Sequence, residues 1–175
     1  MDTEKNREAQ LKSQINAIRS GNRSSIMDAL KDIRMESNIA IIPELFNLLL
    51  AQEENEEIIQ EVASLLNDLK IQEAAPLLTE ALENPVYKPI ARILAAACWQ
   101  NGLAYGKYAA TFVKLTIASD YETAIEAFTV LEEAVGDLEP EEREKLVKEI
   151  KHGMSGAPEQ KRLLLRELVK TIEQY

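Results

Sequence analysis

Cysteine and histidine occur once each in the 175 residues, as Cys98 and His152. A lone cysteine excludes an intrachain disulfide and a cysteine-based zinc cluster. A lone histidine means that any Ser-His-Asp or Cys-His arrangement must use His152. Aromatics supply only 5% of the chain while Ala and Leu abound, which favours helix over sheet. Sustained period-two alternation is absent, so no strand is expected. With six Gly and six Pro there is no low-complexity linker. No apolar run approaches the ~18 residues of a membrane span, and the polar stretch Met1 to Gln14 lacks the apolar segment of a secretory signal. The chain therefore reads as cytoplasmic. Basic residues are outnumbered 20 to 30, and the resulting charge of −10 argues against a general affinity for nucleic acid or anionic lipid.

What the chain has is apolar periodicity. Hydrophobic residues make up 46%, enough at this length for one domain with a sustained core. Ala74-Ala75-Pro76-Leu77-Leu78-Thr79-Glu80-Ala81-Leu82 has a weaker copy 33 positions earlier, from Ile41 to Leu49, and a fainter one 34 positions later, from Tyr108 to Thr116. Such a period marks stacked helical pairs. Ten helical segments are expected over residues 1–175, in five antiparallel pairs, with the best repeats at 38–136 and irregular end pairs at 3–36 and 140–174.

Punctuation supports this division. Asn38, Asn55 and Asp120 suit N-caps, Asn84-Pro85 supplies a cap and first-turn proline for the sixth helix, and Gly102 and Gly136 suit helix C-termini. Gly153 and Gly156 read as breaks before the tenth helix. Register equivalents follow at intervals of 33: Val62, Ala95 and Phe128, and likewise Leu65, Cys98 and Leu131. Ala124, Ile125, Phe128, Leu131 and Val135 are expected in the core of the eighth helix. A single pair cannot cover its own apolar faces, so its neighbours must.

A proline-bearing first helix alternating with an Ala/Leu-rich second helix resembles the HEAT-repeat superfamily, in the short form seen in many bacterial proteins. Pro43 and Pro76, with Leu45, Leu49, Leu78 and Leu82, carry the resemblance best. Arg92 alone stands for the basic residue that the family has early in its second helices, and Ala110 replaces a proline. The resemblance implies an all-α, right-handed α-α superhelix and a concave surface lined by the second helix of each pair.

Few residues invite chemistry. Glu53, Glu54, Glu56, Glu57 and Glu61 lack the alternating ligands and sharp glycine turn of a calcium loop, and a helix start accounts for them. His152 falls in the last turn of the ninth helix, where an imidazolium meets exposed carbonyls. Cys98 shares its register with core leucines. Gly102 to Gly106 follows no strand and is no phosphate cradle. Tyr87, Tyr105, Tyr108 and Tyr121 gather in the central repeats, either as a partner-facing ridge or as filling around small residues, and Trp99 reads as filling. No catalytic residue, metal site or cofactor is expected.

The solvent-facing stripe of the second helices has more to say. A strict 33-residue register gives Glu56, Gln60, Ala63 and Asn67, then Pro89, Ile93, Ala96 and Gln100, then Glu122, Glu126, Thr129 and Glu133. Arg23 and Arg34 flank it at one end, Arg166 and Lys170 at the other. Glu56, Gln60, Asn67, Ile93, Gln100, Glu122, Glu126 and Glu133 are thus the candidate partner-binding residues. Their setting suits a protein or peptide with one apolar anchor beside basic residues. The expected role is a non-enzymatic binding or scaffold module without nucleic-acid or membrane partners. The alternatives are an enzyme or accessory like the HEAT-type DNA glycosylases or lyases, and a homo-oligomer built by end-to-end stacking.

Overall fold

Asn22, Asn55 and Asp120 each stand just before a helix and accept the amide N–H three residues on, from Ser25, Ile58 and Thr123. These caps satisfy donors that a helix start would otherwise leave orphaned. The computed structural model describes residues 2–35 and 38–175, and within them places ten α-helices and no strand. The helices are α1 (Asp2–Arg19), α2 (Arg23–Arg34), α3 (Ile42–Ala51), α4 (Glu56–Asn67) and α5 (Ala74–Glu83), then α6 (Ala91–Asn101), α7 (Ala109–Ala118), α8 (Tyr121–Ala134), α9 (Pro140–Gly153) and α10 (Glu159–Glu173). The end expected for the second helix, at residue 36, lies outside the described residues. No helix among those described is long and apolar enough to cross a membrane.

Proline decides how α6 begins. Asn84 caps the segment as expected, but Pro85–Ile90 winds as a 3-10 helix and α6 starts only at Ala91. An α-helix through this stretch would need an N–H at Pro89 and would drive its ring into the carbonyl of Pro85. Gly102 takes the left-handed conformation (φ 68°) that ends α6. Gly136 does not: it lies inside a 3-10 turn, Val135–Asp137, with negative φ. Gly153 is likewise the last residue of α9 rather than a break after it.

Each odd-numbered helix packs on the even-numbered helix that follows it. Successive odd helices touch from α1 to α9, successive even helices touch from α2 to α10, and no substantial contact joins the first two pairs to the last two. One continuous hydrophobic cluster threads all five pairs, from Ile18 to Ile172. Its largest fully buried members include Ile26, Leu49, Leu66, Phe112 and Leu165.

Three of the five even helices, α4, α8 and α10, bury equivalent positions when counted from their caps, whereas α2 buries Ile26, Ala29, Leu30 and Ile33 instead. Three, seven, ten and eleven residues beyond the cap lie Ile58, Val62, Leu65 and Leu66 in α4, Thr123, Ala127, Val130 and Leu131 in α8, and Lys161, Leu165, Leu168 and Val169 in α10. Ile90, Leu94, Ala97 and Cys98 repeat the same spacing around α6, and all sixteen are buried. This corrects the fixed 33-residue register by one position in α8. Phe128 is only half-buried and Ile125 is 39% exposed, because Asp120 caps 65 residues after Asn55, not 66. The helix is turned accordingly, and Ala127 takes the place expected of Phe128.

Candidate functional site

One, five and twelve residues beyond the caps of α2, α4, α8 and α10, and at the same spacing around α6, stand side chains that are not buried. They are Arg23, Met27 and Arg34 on α2, Glu56, Gln60 and Asn67 on α4, and Lys88 in the 3-10 segment with Arg92 and Trp99 on α6. Tyr121, Ile125 and Glu132 follow on α8, and Glu159, Leu163 and Lys170 on α10.

Five of these residues, all between α2 and α6, reach toward the next even helix. Arg23 pairs with Glu57, and Arg34 pairs with Asp68 at 2.6 Å and with Glu61 at 3.1 Å. Asn67 donates to Gln100 at 2.9 Å. Arg92 pairs with Glu122, with Glu126 at 3.9 Å from its Nε, and the Trp99 indole donates to Glu126 at 2.8 Å. In these rungs, which run from α2 to α8, the donor stands on the earlier helix and the acceptor on the later one, while at the junction with α10 the donor is Lys161 on the later helix. Each exposed pair contributes only about 0–1 kcal/mol, so the ladder orients helices more than it stabilises them.

The candidate partner-binding residues divide along this ladder. Glu56, Gln60 and Asn67 lie on the outward face as read. Gln100, Glu122 and Glu126 sit one position round, toward the preceding helix, and take up the donors of Asn67, Arg92 and Trp99. Ile93 is half-buried and Glu133 exposed on that same flank. Arg23 and Arg34, expected as a free basic end, are in ion pairs. What the fixed register missed is an apolar strip on α8: half-buried Tyr121, exposed Ile125 and half-buried Phe128, followed along the face by exposed Glu132 and Glu133. Asp120 was the signal that could have found it, since α4 and α8 bury the same positions counted from Asn55 and Asp120.

The tyrosines resolve mostly into packing. Tyr105 is buried and edge-on to Phe112, with ring centroids 5.5 Å apart. Tyr87 meets Phe46 edge-on and donates its hydroxyl to Asn47 at 3.2 Å. Burial pushes the Cys98 thiol up to about 12, so it carries no thiolate at neutral pH. His152 is exposed at the end of α9. Among the described residues no group of three or more His, Cys, Asp or Glu is placed to hold a metal.

Lys161 is the unusual charge. It is buried at the position filled by Ile58 in α4, Ile90 before α6 and Thr123 in α8, and its Nζ donates to the Ser119 carbonyl between α7 and α8. Burial lowers its pKa, opposed by Asp120. The folded chain thus holds fewer protons than the unfolded chain between the lowered value and the ordinary lysine value. The penalty of burying the cation is present in full below that window and is relieved as pH rises through it. Urea midpoints of wild type minus those of Lys161→Met should therefore climb as pH is raised toward the ordinary lysine value. A flat difference would contradict this assignment.

The class defined by these features is an all-α chain of paired helices with one face of each even helix left open. No family model matches the chain, and no curated protein does.

Proposed function

We propose that the chain is a HEAT-like right-handed α-solenoid that binds a protein partner, without catalysis, on the face of its even helices. Three features support the solenoid reading: the odd-to-odd and even-to-even contacts, the absence of substantial contact between the ends, and the ladder from α2 to α8. Successive even helices also contact one another more extensively than successive odd ones, which suits the inner row of a curved stack.

One observation carries the binding reading. On α8 a strip of Tyr121, Ile125 and Phe128 stays open to solvent on the same face as Glu132. An apolar anchor held beside carboxylates suits an amphipathic helix or extended peptide with one large apolar residue and flanking Lys or Arg. The partner surface is narrower than an uninterrupted acidic groove, because Arg92 pairs with Glu122 and Glu126 and offsets one of their two charges.

Trp99 offers a direct test, being the single tryptophan and half-buried beside the strip's helix. Synthetic peptides carrying one Leu or Phe among Lys and Arg should shift its emission on titration, and acidic peptides of the same length should not. Ile125→Asp should weaken binding by about thirtyfold or more, the loss expected for removing a hot-spot anchor, with helicity unchanged. Basic peptides that bind equally well to the variant, or not at all to the wild type, would overturn the reading.

A further inference from the structure

Burying a cation is costly unless it is paired, and among the described residues Lys161 forms no ion pair. It is 7% exposed, where Ile58 and Ile90 fill the equivalent positions with hydrocarbon. Its Nζ has one hydrogen-bond partner, the carbonyl of Ser119, although an ammonium has three hydrogens to place. Asp120 supplies the charge that opposes the effect of burial, but its carboxylate is already taken by the amide and hydroxyl of Thr123, each at 2.9 Å. An aliphatic side chain would fill the same space without that penalty, so packing alone does not account for an amine here.

Beside Lys161 lies a cavity of about 410 Å³, open between the turn that joins α7 to α8 and the segment that joins α9 to α10. That is within the size range of small-ligand sites. Ile117, Ala118, Ala157 and Pro158 give it an apolar wall, and Lys161 and Asp120 stand among its polar groups. Burial favours the neutral amine, the form with a lone pair to share. A lysine desolvated in a pocket is thereby activated as a nucleophile.

We propose that Lys161 and this cavity form a covalent site for a small uncharged aldehyde, held as a reversible imine with Asp120 as counter-charge. The Nζ lone pair forms a bond to the carbonyl carbon, and a proton passes from nitrogen to the former carbonyl oxygen. Loss of water from this carbinolamine leaves the C=N bond, so one water is released and nothing is oxidised or reduced. The imine, once protonated, has a single N–H, and the Ser119 carbonyl already stands where it would accept it. The ammonium, in contrast, leaves two hydrogens without a described partner. The apolar wall suits a short alkyl chain, while Asp120 repels a carbonyl compound that carries a carboxylate. This site goes beyond the peptide-binding reading and does not depend on it.

Propanal with cyanoborohydride, which reduces an imine to a stable secondary amine, tests this on the full folded chain near neutral pH. Peptide mass mapping at short times should show the adduct on Lys161 several-fold ahead of exposed Lys88 and Lys107. The lead should vanish in urea, where all three lysines are solvated. Glyoxylate, an aldehyde that bears a carboxylate, should produce no such lead. Lys161→Met should lose this adduct while Lys88 and Lys107 label at the wild-type rate. Labelling of Lys161 no faster than of the exposed lysines, a lead that persists in urea, or an equal lead with glyoxylate would overturn the proposal.

Discussion

Replacing Phe112 by alanine should cost about 3–5 kcal/mol of unfolding free energy, the range for deleting a large aromatic from a closed core. Phe112 is completely buried in the middle of α7. Its ring meets Tyr105 edge-on, with an interplanar angle of 82°, a geometry that adds about 0.5–1.5 kcal/mol beyond area burial. The cavity cannot refill cheaply, because Tyr105 is itself held. Its hydroxyl accepts from Asn101 Nδ2 at 3.1 Å, and burial raises its pKa well above the ordinary phenol value. For a chain whose whole stability falls in the usual range of about 5–15 kcal/mol, the loss would be visible as a large drop in the urea midpoint. Phe112→Leu should lose markedly less. A loss below about 1 kcal/mol for the alanine variant would mean that the site collapses freely, contrary to the packing described.

Much of the architecture was legible before any coordinates. Asn55 and Asp120 cap where capping chemistry requires, Gly102 turns left-handed where α6 ends, and most segments fall within a few residues of their expected limits, α6 being the exception because it begins at Ala91 and not at Pro85. The rotation of each helix was less legible, and α6 explains why. Leu94 to Cys98 is apolar without interruption, so the helix fits a register of 32 or 33 residues from α4 equally well, and hydrophobicity cannot choose. The error then passes to α8, where it exchanges Ala127 for Phe128 and turns Ile125 outward. The ladder was hidden for the same reason. Partners such as Arg92 and Glu122 lie 30 residues apart, and they meet only once the rotation of both helices is known. Lys161 was hidden differently: nothing in its local sequence announces that a lysine closes the junction beneath Ser119.

Gly153→Ala should be destabilising by about 1–3 kcal/mol, the usual cost of forcing extra volume into a packed site. Backbone freedom is not the reason, since Gly153 has φ −64° and ψ −23°, which alanine adopts readily. A Cβ there would lie 2.8 Å from both Cδ1 and Cγ2 of Ile117 on α7. The Cδ1 contact could be relieved by rotating the end of the side chain, but Cγ2 is fixed to the branch at Cβ and moves only with the whole residue. The glycine therefore serves the approach of α9 to α7, not the ending of a helix. In free helix, glycine-to-alanine favours folding by roughly 0.5–1 kcal/mol, so a loss of stability must come from the contact. Ile117→Ala in the same chain supplies the discriminating measurement. If the contact sets the cost, the double variant should lose less than the two single losses added together, by about 1 kcal/mol or more, as directly touching residues do. Simple additivity would place the strain somewhere other than between these two helices.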